Sequence, residues 1–182
     1  MPLVNGNCKF ETLRGGIHEI SGPWDMIIAF PPCTYLTNAS SVRLRPGGVL
    51  DEDRMAKAIE AKSFFMAFYN ANCKRICIEN PVPGKIHQLP PYTQIIEPYM
   101  FGDPWKKRTC LWLKGLPLLV STDIVEPEGL WVGATSSRRD SKIHSKYQLS
   151  SNRNQKIRSK TFPGIAKAMA MQFAGPAGEI NT

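Results

Sequence analysis

The stretch that most constrains this chain runs from Asp25 to Thr37, Asp-Met-Ile-Ile-Ala-Phe-Pro-Pro-Cys-Thr-Tyr-Leu-Thr. Met26 to Phe30 is an unbroken apolar run, as carried by a strand covered on both faces in a parallel sheet. Pro31 and Pro32 must end it, because proline cannot donate to a ladder. Cys33 therefore follows the carboxyl end of a central strand, which is where open α/β sheets bind ligands. The same grammar returns at Ile76-Cys77-Ile78, a buried strand that ends in Glu79-Asn80-Pro81. Between them, Asp51 to Ala71 reads as a helix. Asp51, Glu52 and Asp53 suit its N-terminal dipole, and Met55, Ile59, Phe64, Phe65 and Phe68 form an apolar stripe for the core. Strand, helix and strand predict a parallel, right-handed β-α-β unit. Its two strand ends would deliver a thiol and a carboxylate to one rim.

The remaining segments extend this plan. Residues 8–20 alternate and turn at Gly15-Gly16, as a hairpin does, before Ser21-Gly22-Pro23 breaks the pattern. Residues 38–50 read as a loop over the site. Its Arg43 and Arg45 either reach phosphate or are simply solvated. Pro81, Pro83, Pro90 and Pro91 make a further loop, with His87 as a surface histidine. Gln94 to Tyr99 reads as a third strand and Thr109 to Lys114 as a fourth. The Gly102-Asp103-Pro104 turn between them predicts antiparallel neighbours. Phe162-Pro163-Gly164 precedes an alanine-rich helix, Ile165 to Ala174, which Gly175-Pro176 ends. The predicted fold is thus α/β, one domain over residues 1–182, with residues 121–161 as a basic loop region within it.

Bulk properties bound the function. With 182 residues the chain can bury one real core. Its 42% hydrophobic and 21% charged residues are those of a soluble globular protein. No apolar run approaches the ~20 residues of a membrane span, and the N-terminus has neither a basic nor an apolar signal region. Five cysteines, odd in number and scattered, argue against a disulfide framework and for a reducing cytoplasm. Cys73 and Cys77 have few histidines nearby and do not make a structural zinc site. The net charge of +8 favours a polyanionic partner, most simply nucleic acid. The positive charge concentrates in Arg138, Arg139, Lys142, Lys146, Arg153, Lys156, Arg158 and Lys160, with Asp140 the only acid among them. That segment reads as a loop meeting a phosphate backbone, against the plainer reading of a solvated loop.

Several motifs, in order, carry a resemblance. Phe30-Pro31-Pro32-Cys33-Thr34 resembles the Pro-Pro-Cys motif of DNA cytosine-5 methyltransferases, and Ile78-Glu79-Asn80-Pro81 resembles their Glu-Asn-Val motif. The segment Tyr99 to Leu113 is similar to the family's later turn, basic residues and strand. The segment Thr161 to Ala170 is similar to its closing helix. More closely, nearly the whole chain resembles the short phage and prophage proteins usually labelled DNA cytosine methyltransferase. The resemblance implies a partial Rossmann-like sheet of the class I methyltransferase kind with flanking helices. It implies Cys33 as the nucleophile, Glu79 as the partner of cytosine N3, and Pro31, Pro32 and Asn80 as the loop braces. Lys107 and Arg108 would hold the target base or its phosphate. S-adenosylmethionine would be the methyl donor, DNA the partner, and the cytoplasm of a bacterial host the location. The chemistry agrees: cytosine C5 is a poor nucleophile until a thiolate adds to C6 and a carboxyl meets N3. Amino-directed methyltransferases begin their proline motif with Asp, Asn or Ser; Phe30 cannot accept a hydrogen bond from an amino group.

The chain departs from the pattern in four places. Phe30 replaces a glycine, Thr34 replaces a glutamine, and Thr109 stands where an arginine of the basic segment belongs. No Gly-x-Gly strand-turn-helix for S-adenosylmethionine precedes Met26. The first strand should therefore keep an open apolar edge, covered by a second copy, by a partner chain or by the 8–20 hairpin. The leading reading is a cytosine-5 methyltransferase-like protein, complete or as a base-handling remnant. A non-catalytic nucleic-acid-binding protein and an enzyme of free pyrimidine nucleotides are the alternatives.

Overall fold

The computed structural model describes residues 8–11, 17–20, 24–127, 130–131 and 161–174. The chain forms two compact units. One takes residues up to Ile95 together with Thr109–Leu116; the other takes Ile96–Arg108 together with Pro117 onward.

The first unit holds an open, mixed sheet. Its strands are β3 (Ile27–Ala29), β4 (Ile76–Pro81), β7 (Thr109–Lys114) and β5 (Gln94–Ile96), in the order β3-β4-β7-β5. β3 and β4 are parallel, with Ile27, Ile28 and Ala29 opposite Ile76, Cys77 and Ile78. β4 and β7 are antiparallel, from Ile76 opposite Lys114 to Pro81 opposite Thr109. Helix α2 (Glu52–Tyr69) makes the connection between β3 and β4. Its N-cap is Asp51, whose carboxylate accepts the amide of Arg54 at 2.9 Å; such a cap contributes about 1 kcal/mol. Ala58, Ala61, Phe65 and Phe68 recur at helical spacing and face the core with Ile76, Ile78 and Trp112. Phe65 meets Trp112 edge to face, centroids 4.9 Å apart. Among the predicted stripe residues Ile59 differs: it is 61% exposed, because a position one step past Ala58 turns about 100° away from the sheet. A separate hairpin of β1 (Cys8–Glu11) and β2 (Ile17–Ile20) is antiparallel, as its alternation predicts. The glycine pair at its turn, and residues 21–23, lie outside the described residues.

Three local expectations change. The predicted strand from Met26 to Phe30 is shorter, Ile27–Ala29, because the proline pair leaves nothing to pair beyond Ala29. Residues 38–50 are ordered into helical turns rather than an irregular loop. Thr37 caps α1 (Asn38–Ser41) by accepting the amide of Ser40 at 3.1 Å, and 3-10 turns follow at Val42–Leu44 and Pro46–Gly48. The predicted strand through Tyr99 stops at Ile96, since Pro98 begins a 3-10 turn, Pro98–Met100.

The second unit contains the short parallel pair β6 (Trp105–Lys106) and β8 (Leu130–Trp131) and helix α3 (Pro163–Phe173). Pro163 occupies the first turn, where its missing N–H costs nothing. A side chain at Gly164 would overlap the carbonyl oxygen of Phe101, so only glycine permits this approach. The Gly164 amide donates to Asp103 Oδ2 at 2.9 Å, and the rings of Trp105 and Phe162 lie 6.3 Å apart. The turn at 101–105 is thereby joined to the start of α3.

Candidate active site

The parallel register sets the site. With Ala29 opposite Ile78, the chain leaves the sheet after β3, while Glu79, Asn80 and Pro81 continue β4 and stay paired with β7. Asn80 is fully buried, and its Nδ2 donates to the carbonyl of Pro31 at 3.0 Å. Pro31 is buried, Pro32 exposed, and Cys33 half-buried. The chain then turns, with the amides of Leu36 and Thr37 donating to the Cys33 carbonyl at 3.1 and 3.3 Å. The far side of this turn is tied to the continuation of β4: the Asn38 amide donates to Val82 O at 3.0 Å, and the Gly84 amide to Leu36 O at 2.9 Å. Leu36 is completely buried and belongs to the core cluster. Cys33, Glu79, Asn80 and Pro31 therefore share one rim, at the carboxyl ends of β3 and β4.

Two cysteines of the first unit behave differently. Cys77 lies within β4, and burial, followed by the charge of Glu79, pushes its thiol up to about 12. It is a packed, unreactive thiol at neutral pH. Cys73 donates to the carbonyls of Trp24 and Arg75 at 3.3 and 3.2 Å, which fixes the entry to β3. Cys33, Cys73, Cys77 and Cys110 are free thiols. No group of three or more His, Cys, Asp or Glu among the described residues could hold a metal, and no helix among them is long and apolar enough to cross a membrane.

Two residues near the rim were not legible as such. Arg54 donates from Nη2 to Ser40 Oγ at 3.0 Å and stacks over Tyr35, 5.3 Å from its centroid. His87, predicted at the surface, is buried; it ends the 3-10 turn Lys85–His87 and packs beside Gly84, which in turn crowds Ser41. Burial first, then the charge of Lys62, holds the imidazole below its ordinary value. Among the described residues, four side-chain atoms are buried without hydrogen-bond partners: Glu97 Oε2 in the second unit, and Arg54 Nε, Asn80 Oδ1 and His87 Nε2 in the first. The three of the first unit belong to residues around the 31–41 segment that carries Cys33. Native structures leave few such atoms.

The other predicted residues fall as follows. Arg43 and Arg45 are exposed on the 3-10 turns after α1. Lys107 and Arg108 belong to the second unit. There the Lys107 amide donates to Glu97, whose carboxyl is pushed up by burial despite Arg108 and Lys106 nearby. Lys107 Nζ lies 5.8 Å from the centroid of the Phe162 ring. Arg138, Arg139, Lys142, Lys146, Arg153, Lys156, Arg158 and Lys160 lie outside the described residues. A cleft of about 470 Å³, lined by Tyr69, Ile76, Thr93, Trp112 and Lys114 among others, opens at the amino end of β4, away from the rim, and includes no predicted site residue.

Among the described residues β3 pairs with β4 alone, and the β1–β2 hairpin adds no strand to it. No described element preceding β3 is a strand-turn-helix of the kind that cradles a dinucleotide or S-adenosylmethionine. Comparisons with protein-family models, with curated proteins and with solved structures each find no match for this chain.

Proposed function

We propose that this chain handles a cytosine of DNA as the cytosine-5 methyltransferases do, with Cys33 as nucleophile and Glu79 as the partner of ring N3. The observation that carries this reading is the Asn80–Pro31 bond, which locks the thiol-bearing turn to the carboxylate-bearing strand end. On this reading the sheet is a partial Rossmann-like one, supported by the parallel β3-α2-β4 unit.

The chemistry of these residues is as follows. The Cys33 thiolate donates its electron pair to C6 and forms an S–C6 bond. The C5=C6 π pair moves to C5 and through C4 to N3, where the Glu79 carboxyl supplies a hydrogen bond or proton. C5 becomes nucleophilic. In the absence of an alkyl donor it takes a proton from solvent and gives up its original one; the thiolate then leaves, and the C5=C6 bond returns. The net result is exchange of the C5 hydrogen. The base must leave the duplex stack to reach the rim. Arg43, Arg45, Lys107, Arg108 and the basic 138–160 segment would contact phosphates. S-adenosylmethionine is the methyl source that the resemblance implies. The described residues hold no strand-turn-helix cradle for it ahead of β3; a second copy or a partner chain along the β3 edge would complete its site.

The test is release of tritium from C5 of cytosine in DNA at neutral pH. Wild type releases it and Cys33→Ser does not, while both bind DNA with the same steep salt dependence. Binding without any release from wild type would instead support a non-catalytic nucleic-acid-binding protein, a reading favoured by the charge of +8.

A further inference from the structure

The turn that carries Cys33 is held from the helix side by one guanidinium. Arg54 sits in the first turn of α2, its amide fixed by Asp51 at 2.9 Å. Its side chain reaches back by two routes. Nη2 donates to Ser40 Oγ at 3.0 Å, and the guanidinium carbon lies 5.3 Å from the centroid of the Tyr35 ring. Tyr35 is two residues beyond Cys33. Ser40 is itself buried, and its amide donates to Thr37 Oγ1 at 3.1 Å; the Thr37 amide closes on the Cys33 carbonyl at 3.3 Å. Ring and hydroxyl thus lead independently from Arg54 to the Cys33 turn. The guanidinium is always charged, and its Nε is buried without a partner. A group held only for packing would not need a charge with an unmatched buried donor, since an apolar side chain could fill the same space. A fixed positive charge near a thiol favours the thiolate and attracts anions.

We propose that Arg54 is the positioning residue of Cys33: clamped between Tyr35 and Ser40, it holds the Cys33 turn against α2 and sets a positive potential at the thiol that favours an anionic partner. The inference rests on the cytosine reading, in which that partner is a nucleotide phosphate, but its readout needs no base.

The experiment compares alkylation of Cys33 in the full chain by iodoacetate, an anion, and by iodoacetamide, which is neutral. In each reaction the thiolate attacks the carbon that bears iodine, an S–C bond forms and iodide leaves. Peptide mass spectrometry follows Cys33 separately from the other cysteines. Loosening of the turn changes both rates together; only charge changes their ratio. Arg54→Ala is expected to lower the iodoacetate-to-iodoacetamide ratio by about threefold or more at low ionic strength, and added salt should narrow the difference. Arg54→Lys restores the ratio, because it keeps the charge, but not the full iodoacetamide rate, because it cannot stack as a plane. An unchanged ratio in Arg54→Ala overturns the proposal. Should Arg54→Ala lack a cooperative thermal transition, Arg54→Gln, which keeps a donor for Ser40 but removes the charge, replaces it, and a wild-type ratio there overturns the proposal equally. A lowered ratio in a protein that releases no tritium from cytosine would leave Arg54 in this role and reject the cytosine chemistry; an unchanged ratio in a protein that does release tritium would do the reverse.

Discussion

Two joints in this molecule unite segments far apart in sequence, and they are built from different materials. In the first unit Asn80 grips the carbonyl of Pro31 across 49 residues. In the second, Gly164 meets Phe101 and Asp103 across some sixty, the Gly164–Asp103 bond spanning 61. The second joint is close backbone packing, an aromatic contact and a satisfied amide. The first is a buried polar side chain with one oxygen left over, beside a half-buried thiol and a clamped arginine. Tight, satisfied packing gives stability at the helix start. Buried polar atoms without partners are costly to stability, at the rim as at Glu97 of the second unit.

That contrast can be broken at specific residues. Gly164→Ala should have the largest effect on stability, about 3 kcal/mol or more, since the added methyl has no room beside the Phe101 carbonyl. Denaturant unfolding measures it, and a neutral result would mean that the second joint does not rest on close approach. Asn80→Ala should cost about 1–3 kcal/mol, because the Pro31 carbonyl is left unpaired in a buried place. Here the decisive comparison is functional: tritium release from cytosine should fall by far more than the loss of stability at 25 °C explains. Asp103→Ala removes the acceptor of the Gly164 amide and should cost about 1 kcal/mol, as the loss of a cap does.

The smallest effects are in pH dependence, and they have opposite signs in the two units. His87 is held below its ordinary 6.5 by burial and by Lys62. The unfolded chain therefore binds that proton more readily than the folded one, and stability falls as pH drops through 6.5 toward the folded value. His87→Gln should flatten the urea midpoint between pH 7 and pH 5. Glu97 is held above its ordinary 4.5, chiefly by burial. Its contribution is complete below 4.5 and is lost as pH rises through the folded value. Glu97→Gln should therefore raise the midpoint at pH 7 and leave it unmoved at pH 4.

Much of the framework was legible because its signals are local. The proline pair that ends the first strand, the acidic residues Asp51 to Asp53 at the helix start, the apolar run Ile76–Ile78 and the alanine-rich closing helix each act over a few residues, and the structure uses each of them, with Asp51 as the cap and the closing helix beginning earlier, at Pro163. The rim was legible in part: Cys33, Glu79 and Asn80 follow from two strands that end alike. What stayed hidden depends on contacts between distant segments. Nothing near His87 marks it as buried; Gly84 and Ser41 close over it only once the 82–84 segment meets the Cys33 turn. Nothing in Asp51-x-x-Arg54 shows that the guanidinium turns back onto Tyr35. Ile59 has the side chain of a core residue and the helical phase of a surface one, and the phase decides. Lys107 and Arg108 follow from resemblance alone, and in the structure both lie beside Glu97, with Lys107 also over the Phe162 ring.

The most direct test of the central claim is the peptide mass of Cys33 after incubation with single-stranded DNA that carries 2-pyrimidinone in place of cytosine. That ring lacks the 4-amino group and accepts a thiol at C6 more readily. A nucleotide adduct on Cys33 is the expected result, absent in Cys33→Ser and reduced in Asn80→Ala. Unmodified Cys33 in a protein that demonstrably binds the same DNA would contradict it.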